Sequence, residues 1–181
     1  MAIEEIYLKG CFLLSPEIIF DERGSFFESF NQNRFNKLTE SNVAFVQDNQ
    51  SISSIGVLRG LHFQTGEYAQ AKLVRVIKGK VLDVCIDIRP NSKTFSNYFS
   101  IVLDDIENKQ LYIPRGFAHG FLVLKDDTIF SYKCDNYYNK SSERGIRYND
   151  SSLKIDWNFP EDQLVLSEKD KNLPAFETLF K

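Results

Sequence analysis

The sequence contains no long hydrophobic run, no run of basic residues and no start typical of a secreted protein. Its first ten residues, MAIEEIYLKG, place acidic side chains where a secretory signal would have a basic flank and an apolar core. No later apolar run approaches membrane-spanning length. The 22 basic and 25 acidic residues are dispersed, which disfavours electrostatic capture of nucleic acid. We therefore expect a cytoplasmic protein that binds neither membranes nor nucleic acid.

Cysteine is also scarce. Cys11, Cys85 and Cys134 are odd in number, widely spaced and never arranged as Cys-x-x-Cys. A disulfide framework would need paired cysteines, and a zinc knuckle would need them at short spacing. We expect three reduced, structural thiols.

Helical signals are few, and signals for strands dominate. Between about residues 42 and 135, short runs rich in β-branched and aromatic residues are separated by Gly, Asn, Asp and Pro. In residues 81–90, VLDVCIDIRP, apolar and polar side chains alternate, which predicts a strand with one face on the core. Gly79 predicts a hairpin turn between this strand and the preceding one, AKLVRVIKGK.

The helices that we expect are short. One follows Asn31 in NQNRFNKLTE, and one or two turns lie in LSEKDKNLPAFETLFK, interrupted by Pro174. A turn is one explanation of the polar residues 21–24. With 43% hydrophobic residues in 181, the chain can fill one substantial core. The sequence therefore predicts one all-β domain, residues 1–181, with a few peripheral helices.

Only two histidines are present, His62 in RGLHFQ and His119 in IPRGFAHGF. A single histidine among apolar residues is usually structural, but the neighbours of these two are unusual. Arg59 and Lys72 lie on strands that otherwise face a core, where a charge is costly unless it meets an anion or water. A barrel interior that is open at one end supplies such a cavity. The alternative for Lys72 is a strand-end side chain that extends outward to solvent.

A metal site is the first chemistry to consider, because double-stranded β-helix proteins commonly bind one through a His-x-His pair. Here Gln64 stands where the second histidine would be. His62 and His119 without a third strong ligand make a poor transition-metal site. We expect no metal.

The chemistry that remains is acid–base. His62 is a base near neutrality, Tyr132 is a proton donor, and Lys72 or Arg59 is a fixed positive charge for a developing oxyanion. This set suits proton removal beside a carbonyl group. Other polar clusters are weaker signals, since a loop cap at Asn49, for example, would account for one of them.

Six segments resemble, in the same order, sequences of the dTDP-4-dehydrorhamnose 3,5-epimerase family. They run from about residue 20 to 174: FDERGSFFESF, FVQDNQSISSIGVLRGLHFQ, QAKLVRVIKGKVLDVCIDIRPNSKTF, LYIPRGFAHGFLVL, YKCDNYYNKSSERGIRYND and LSEKDKNLP. The resemblance implies a cupin-type jelly roll (a double-stranded β-helix), a homodimer and no cofactor. It implies conversion of dTDP-4-dehydro-6-deoxy-D-glucose to dTDP-4-dehydro-L-rhamnose, for cell-surface polysaccharide.

The resemblance also implies roles for individual residues. His62 matches the proton acceptor, Asp170 its carboxylate partner, Tyr132 the proton donor, and Lys72 the cation near the ketone oxygen. Further polar positions match substrate contacts, namely Arg23, Glu28, Gln47, Asn49, Arg59, His119, Glu143 and Lys169. Within such a site, three aromatic residues could stack on thymine or pack against the sugar, namely Phe26, Phe121 and Tyr138.

Two departures from the family's pattern are Tyr148, where tryptophan is frequent, and the loop after the proposed base, TGEYAQ. They affect substrate detail more than reaction type. Alternatives within the enzyme class are sugar-nucleotide epimerases that invert only C3 or only C5, or that use another nucleotide. Outside it, the alternatives are a non-catalytic sugar-nucleotide-binding cupin and a metal-dependent cupin oxygenase or isomerase, which Gln64 disfavours.

Overall fold

The computed structural model describes residues 1–180, which form two antiparallel sheets and a separate hairpin. With strands numbered in chain order, the first sheet has the order β1 (Ala2–Glu5), β2 (Phe12–Ser15), β10 (Gln110–Ile113), β7 (Lys72–Lys78), β12 (Thr128–Cys134) and β5 (Gln47–Ser53). The second sheet has the order β13 (Glu143–Gly145), β6 (Leu58–Gln64), β11 (Phe117–Val123), β8 (Lys80–Asp87) and β9 (Tyr98–Asp104). The hairpin comprises β3 (Ile19–Asp21) and β4 (Gly24–Phe26).

The helices are short and peripheral. They are α1 (Gln32–Thr39), α2 (Glu168–Lys171) and α3 (Phe176–Leu179), with three single 3₁₀ turns at Gly66–Tyr68, Lys140–Ser142 and Glu161–Gln163. Helix α1 begins where predicted, since the Asn31 side chain accepts a hydrogen bond from the Arg34 amide at 3.1 Å. Pro174 separates α2 from α3, also as predicted. The all-β jelly-roll prediction, with a few peripheral helices, is confirmed.

Three apolar clusters form the core. One lies between the sheets and joins Val74 and Phe130 of the first sheet to Val81 and Phe121 of the second. A second lies on the outer face of the second sheet, which residues 146–180 cover with side chains such as Trp157. The third lies under α1, where Phe35 packs on the outer face of the first sheet. Burying a ring of this size contributes about 2 kcal/mol.

Two predictions about β8 are wrong. The strand was expected to bury one face only, yet Asp83 and Cys85 are as fully buried as Val84, because the sheets enclose one face and residues 146–180 cover the other. Gly79 is not a hairpin turn, because β7 and β8 belong to different sheets and do not pair. Its φ of +94° instead lets the chain cross from one sheet to the other.

Of two smaller interpretations, one is confirmed and one is wrong. The turn at residues 21–24 is confirmed, since it joins β3 to β4 and the Asp21 carboxylate accepts the Arg23 amide at 2.9 Å. Asn49 is not a loop cap, because it lies within β5 and pairs with Tyr132 of β12. Within residues 1–180, no helix is long and apolar enough to cross a membrane. Location in the cytoplasm stays a prediction.

Candidate active site

A cavity of about 690 Å³ opens between the two sheets. Strands β5, β7 and β12 supply one wall, β6 and β11 supply the other, and the segment 165–170 lies at its side. The cavity explains how charged side chains can lie on otherwise core-facing strands, because their polar ends reach water or a ligand there. Lys72 shares the inner face of β7 with the buried Val74 and Val76, so the alternative of a strand-end side chain that extends outward is wrong.

His62 and Asp170 form a hydrogen-bonded pair in this cavity, with 2.6 Å between His62 Nε2 and Asp170 Oδ1. Asp170 is buried, and burial alone would raise the pKa of its carboxyl group. Hydrogen bonds from His62 and Ser167 outweigh that effect, so the pKa of Asp170 lies below its ordinary value. The carboxylate is therefore ionised at neutral pH and fixes the orientation of the imidazole.

The C-terminal segment brings Asp170 to His62 across 108 residues of sequence. An isolated parallel bridge joins Val165 to Val57, with the Val165 amide donating to Gly56 O at 2.9 Å and the Leu58 amide to Val165 O at 3.0 Å. Helix α2 follows at once, and Ser167 caps it by accepting the Asp170 amide at 3.1 Å. Local capping therefore sets where the carboxylate lies.

A second imidazole–carboxylate pair lies beside the first. His119 is the cross-strand partner of His62, and its Nε2 lies 2.9 Å from Asp83 Oδ2. Burial lowers the pKa of His119, although Asp83 opposes this. Sequence reasoning missed Asp83, whose other oxygen has no hydrogen-bond partner among the described residues. The signal was available, because Asp83 shares its strand face with the core residues Val81 and Cys85.

Two glycines let the strands of these histidines approach each other. A Cβ atom on Gly60 would lie 2.6 Å from the Cα of Gly120, closer than side chains allow. Gly60 also has a φ of +135°, which favours glycine. The pairing of β6 with β11 shifts register between His119 and Phe121. The side chains of His119 and Phe121 nevertheless both line the cavity.

Lys72 and Tyr132 lie on the wall opposite the histidines. The Lys72 Nζ atom is 5.7 Å from the centre of the Tyr132 ring. Burial lowers the pKa of Lys72, and nearby Cys134 and Asp83 oppose it. Burial raises the pKa of Tyr132, against the charge of Arg59. The site thus has an imidazole with its carboxylate partner on one wall, and a phenol with a lysine amine on the other.

Most of the remaining predicted residues surround these groups. Four line the main cavity, namely Asn49, Arg59, Phe121 and Lys169. Three line a smaller adjoining cavity of about 110 Å³, which shares His62, Lys72 and Tyr132, namely Gln47, Tyr138 and Glu143. Glu143 connects the linings of the two cavities, because its carboxylate accepts hydrogen bonds from Lys169 at 2.5 Å and from the Tyr138 hydroxyl at 3.0 Å.

Arg23, Phe26 and Glu28 do not line either cavity. Arg23 is 84% exposed and pairs with Asp21, and Phe26 is 70% exposed. Glu28 accepts a hydrogen bond from Asn31 at 3.1 Å. These three predicted substrate contacts lie on or after the β3–β4 hairpin, away from the cavity of their own chain.

Gln64 is engaged by the backbone of two loops. Its Nε2 donates to Tyr68 O at 2.9 Å and to Tyr137 O at 3.2 Å, and its Oε1 accepts the Asn139 amide at 2.6 Å. Across residues 1–180, no group of three or more His, Cys, Asp or Glu side chains is arranged to hold a metal ion. That the protein works without a metal stays a prediction.

Comparisons with known proteins agree with this geometry. A sequence model described as dTDP-4-dehydrorhamnose 3,5-epimerase matches residues 5–178. The chain belongs to this family. The dTDP-4-dehydrorhamnose 3,5-epimerase of Escherichia coli K12 is 49% identical over 175 residues, which cover 96% of this chain and 94% of that protein.

Solved structures of the epimerase family share the whole fold. The enzyme from Elizabethkingia anophelis NUHP1 is 51% identical with a TM-score of 0.96, covering 100% of this chain and 99% of that one. The enzyme from Legionella pneumophila Philadelphia 1, in complex with dTDP-4-keto-L-rhamnose, is 43% identical with a TM-score of 0.94, covering 98% and 94%. Tyr148, one departure from the family's usual residues, contacts Trp157 and Glu161 outside the cavity.

Proposed function

We propose that this protein is a dTDP-4-dehydrorhamnose 3,5-epimerase, which converts dTDP-4-dehydro-6-deoxy-D-glucose to dTDP-4-dehydro-L-rhamnose. The observation that carries the proposal is the placement of His62–Asp170 on one wall of the cavity and Tyr132 with Lys72 on the other. Epimerisation needs this arrangement, because a proton must leave one face of the sugar carbon and return to the opposite face.

His62 is the proposed base. Its Nε2 is held by the ionised Asp170, so the neutral imidazole carries its hydrogen there and leaves Nδ1 free to take a proton. The proton comes from C3 or C5, the carbons beside the C4 ketone. Asp170 then stabilises the imidazolium that forms. The electrons of the broken C–H bond pass to the ketone oxygen as an enolate.

Lys72 and Tyr132 complete the reaction. A fixed cation beside the C4 oxygen lowers the energy of the enolate without reorganising, and Lys72 supplies it. The Tyr132 hydroxyl then donates a proton to the opposite face of the carbon. Solvent restores the phenol, and the imidazolium loses its proton. The same groups serve C3 and C5, and no electron is transferred, so the proposed reaction needs no redox cofactor.

Arg59 and Lys169 are the proposed diphosphate contacts, because both cations line the cavity and a guanidinium can bind phosphate oxygens in pairs. His119, Asn49 and Phe121 would contact the sugar from the cavity walls.

We also propose a homodimer. Arg23, Phe26 and Glu28 would then contact substrate in the cavity of the partner subunit, and the exposed Ile19 and Phe20 of the same hairpin would be covered. Exposed apolar side chains that lie together, as Ile19, Phe20 and Phe26 do on this hairpin, are typical of an interface.

The decisive experiment is incubation with dTDP-4-dehydro-6-deoxyglucose in heavy water, with deuterium at C3 and C5 followed by mass spectrometry and NMR. Label at both carbons is the expected result. Label at one carbon only would instead support an epimerase that inverts C3 or C5 alone. No label at either carbon would contradict an epimerase and support a binding protein.

Two variants test the roles. We expect His62→Ala to lower deuterium incorporation at both carbons by at least ~10²-fold, the usual contribution of a general base. Tyr132→Phe should impair inversion more than the initial proton removal, because it leaves the base intact. Near-parental exchange in His62→Ala would rule out its role as the base.

A further inference from the structure

The side chain of Gln64 binds the backbone on both sides of Tyr138. Its Oε1 accepts the backbone amide of Asn139 at 2.6 Å, and its Nε2 donates to the backbone carbonyl of Tyr137 at 3.2 Å. The same Nε2 donates to the carbonyl of Tyr68 at 2.9 Å. Gln64 is buried, so these hydrogen bonds form away from bulk solvent. One buried amide therefore joins the loop after β6 to the loop that carries Tyr138.

The orientation of this amide follows from its partners. A backbone N–H can only donate and a backbone carbonyl can only accept, so the oxygen of Gln64 must face Asn139 and its nitrogen must face the two carbonyls. A substitution that removes the amide leaves these backbone groups without their partner. Because an unpaired buried polar group is costly, the loops should then rearrange to find other partners.

Tyr138 depends on this backbone for its position. The residue is 53% exposed, so packing holds its ring only in part. Its hydroxyl donates to Glu143 Oε2 at 3.0 Å, and Glu143 is itself the cross-strand partner of Gln64 in the β13–β6 pair. Both the backbone beside Tyr138 and the acceptor of its hydroxyl thus adjoin Gln64.

We propose that Gln64 is a positioning residue, which holds Tyr138 beside the cavity so that its ring can stack on the base of the nucleotide. The inference rests on the proposed function, because it takes Tyr138 as an aromatic contact to that base. Gln64 then sets the affinity for the nucleotide and leaves the proton transfers unaffected, because other contacts, such as that of His62 with Asp170, hold the groups that carry them out.

Other hydrogen bonds to the same loops stay constant in the test. Gln47 accepts the Tyr138 amide at 3.0 Å, and Gln70 donates to the carbonyl of Asn136 at 2.7 Å. Substitutions at Gln64 leave both in place, so the loop at Tyr138 keeps two of its attachments. A change in nucleotide binding would therefore report the contacts of Gln64 itself.

The test measures binding of dTDP to the protein by isothermal titration calorimetry. Gln64→Met nearly keeps the size of the side chain and removes its three hydrogen bonds, and we expect it to raise the Kd for dTDP by ~10-fold. Gln64→Glu keeps the acceptor for the Asn139 amide but turns a second acceptor towards two carbonyls. It should raise the Kd as well, and it replaces Gln64→Met if that variant does not fold. Gln163→Met, an exposed substitution of the same kind, should leave the Kd unchanged.

A Tyr138→Ala background separates positioning from a general loss of structure. If Gln64 acts through the Tyr138 ring, Gln64→Met should raise the Kd by less than ~2-fold once that ring has been removed. A structural defect would instead add to the effect of Tyr138→Ala. Equal effects of Gln64→Met in the two backgrounds would therefore overturn the positioning role.

Kinetics give a second readout. With the sugar-nucleotide substrate, Gln64→Met should raise KM and leave kcat within ~2-fold of the parental value, since it removes binding that the ground state and the transition state share. A lowered kcat with an unchanged Kd for dTDP would show that Gln64 supports the strand of His62, and it would also overturn the positioning role.

Hydrogen exchange in the ligand-free protein tests the contact itself. Amide exchange followed by mass spectrometry should be faster in residues 136–142 of Gln64→Met than in the parent, because the Asn139 amide loses its acceptor. Neither exchange nor dTDP binding needs turnover. Absence of deuterium label in a parent protein that binds dTDP would refute the epimerase alone. An unchanged Kd in both Gln64 variants would refute the positioning role alone.

Discussion

At the scale of single residues, Asp87 shows how strongly this fold can stabilise one buried charge. Its carboxylate accepts side-chain hydrogen bonds from Arg89 at 2.7 and 2.8 Å, from Ser92 at 2.5 Å and from Thr94 at 2.7 Å. Burial opposes ionisation, but these hydrogen bonds outweigh it and lower the pKa of Asp87 to about 2. Together they hold the loop between β8 and β9.

This lowered pKa predicts how stability depends on pH. The unfolded carboxyl titrates near ~4, so the folded state gains about 2 kcal/mol above that pH and loses it as pH falls towards 2. In urea unfolding at neutral pH we expect Asp87→Asn to be less stable than the parent. The difference in free energy of unfolding should narrow between pH 4 and pH 2. A constant difference over that range would contradict the assignment.

Sequence reasoning was most successful in identifying single residues of the site. His62, Lys72 and Tyr132 could be identified because a charged or titratable group among core-facing positions has few explanations, and the cavity is the correct one. Asp83 was missed because strict alternation assigned it to an outer face. Alternation does not show which strands have both faces covered.

At the scale of elements, Gly79 lies where the chain crosses from one sheet to the other. Comparing it with Gly24 separates the effect of steric crowding from that of backbone strain. An added Cβ atom would lie 2.2 Å from the Thr128 Oγ1 atom and 2.9 Å from the Thr128 Cα atom. Gly24, in the β3–β4 turn, has a φ of +123°, but its Cβ position has no atom within 4 Å. The two glycines thus share an unusual backbone and differ in the space around them.

We expect Gly79→Ala to lower the free energy of unfolding by about 2 kcal/mol more than Gly24→Ala, because it adds overpacking to the strain that both share. Urea denaturation of the two variants measures the difference. Equal losses would show that the crossing between sheets tolerates a methyl group.

Elements fixed by local signals could be predicted, and elements fixed by distant partners could not. Helix α1 follows from Asn31 as its cap and from Phe35 on its buried side. The route of the chain at Gly79 depends on which sheet receives β8, and that choice depends on partners such as β11, some thirty residues later in the chain. A turn residue shows that the chain bends, without showing what it pairs with next.

At the scale of the whole molecule, the proposed dimer would make each active site a shared one. Residues from one chain's hairpin would serve the other chain's cavity, so two damaged chains could complement each other. Strand and helix patterns within one sequence do not indicate that a site is shared between chains. In this chain, Arg23 and Phe26 lie away from the cavity.

We expect His62→Ala and Arg23→Ala proteins, each with low activity alone, to recover activity when they are unfolded and refolded together. A mixed dimer has one intact site, so random pairing of equal amounts should restore about a quarter of the parental activity. Ultracentrifugation should show a mass of two chains. Absence of recovery in a protein that is dimeric by mass would place Arg23 outside the shared site.

Gln64 has a consequence for how such a cavity changes its chemistry in evolution. A single substitution, Gln64→His, would recreate the His-x-His sequence, but it would also remove the amide that ties the loops at Tyr68, Tyr137 and Asn139. A change from proton transfer to metal chemistry at this position would therefore also need new contacts to hold those loops. The present arrangement is therefore more than one substitution away from a His-x-His metal site, because the three hydrogen bonds of Gln64 would have to be replaced as well.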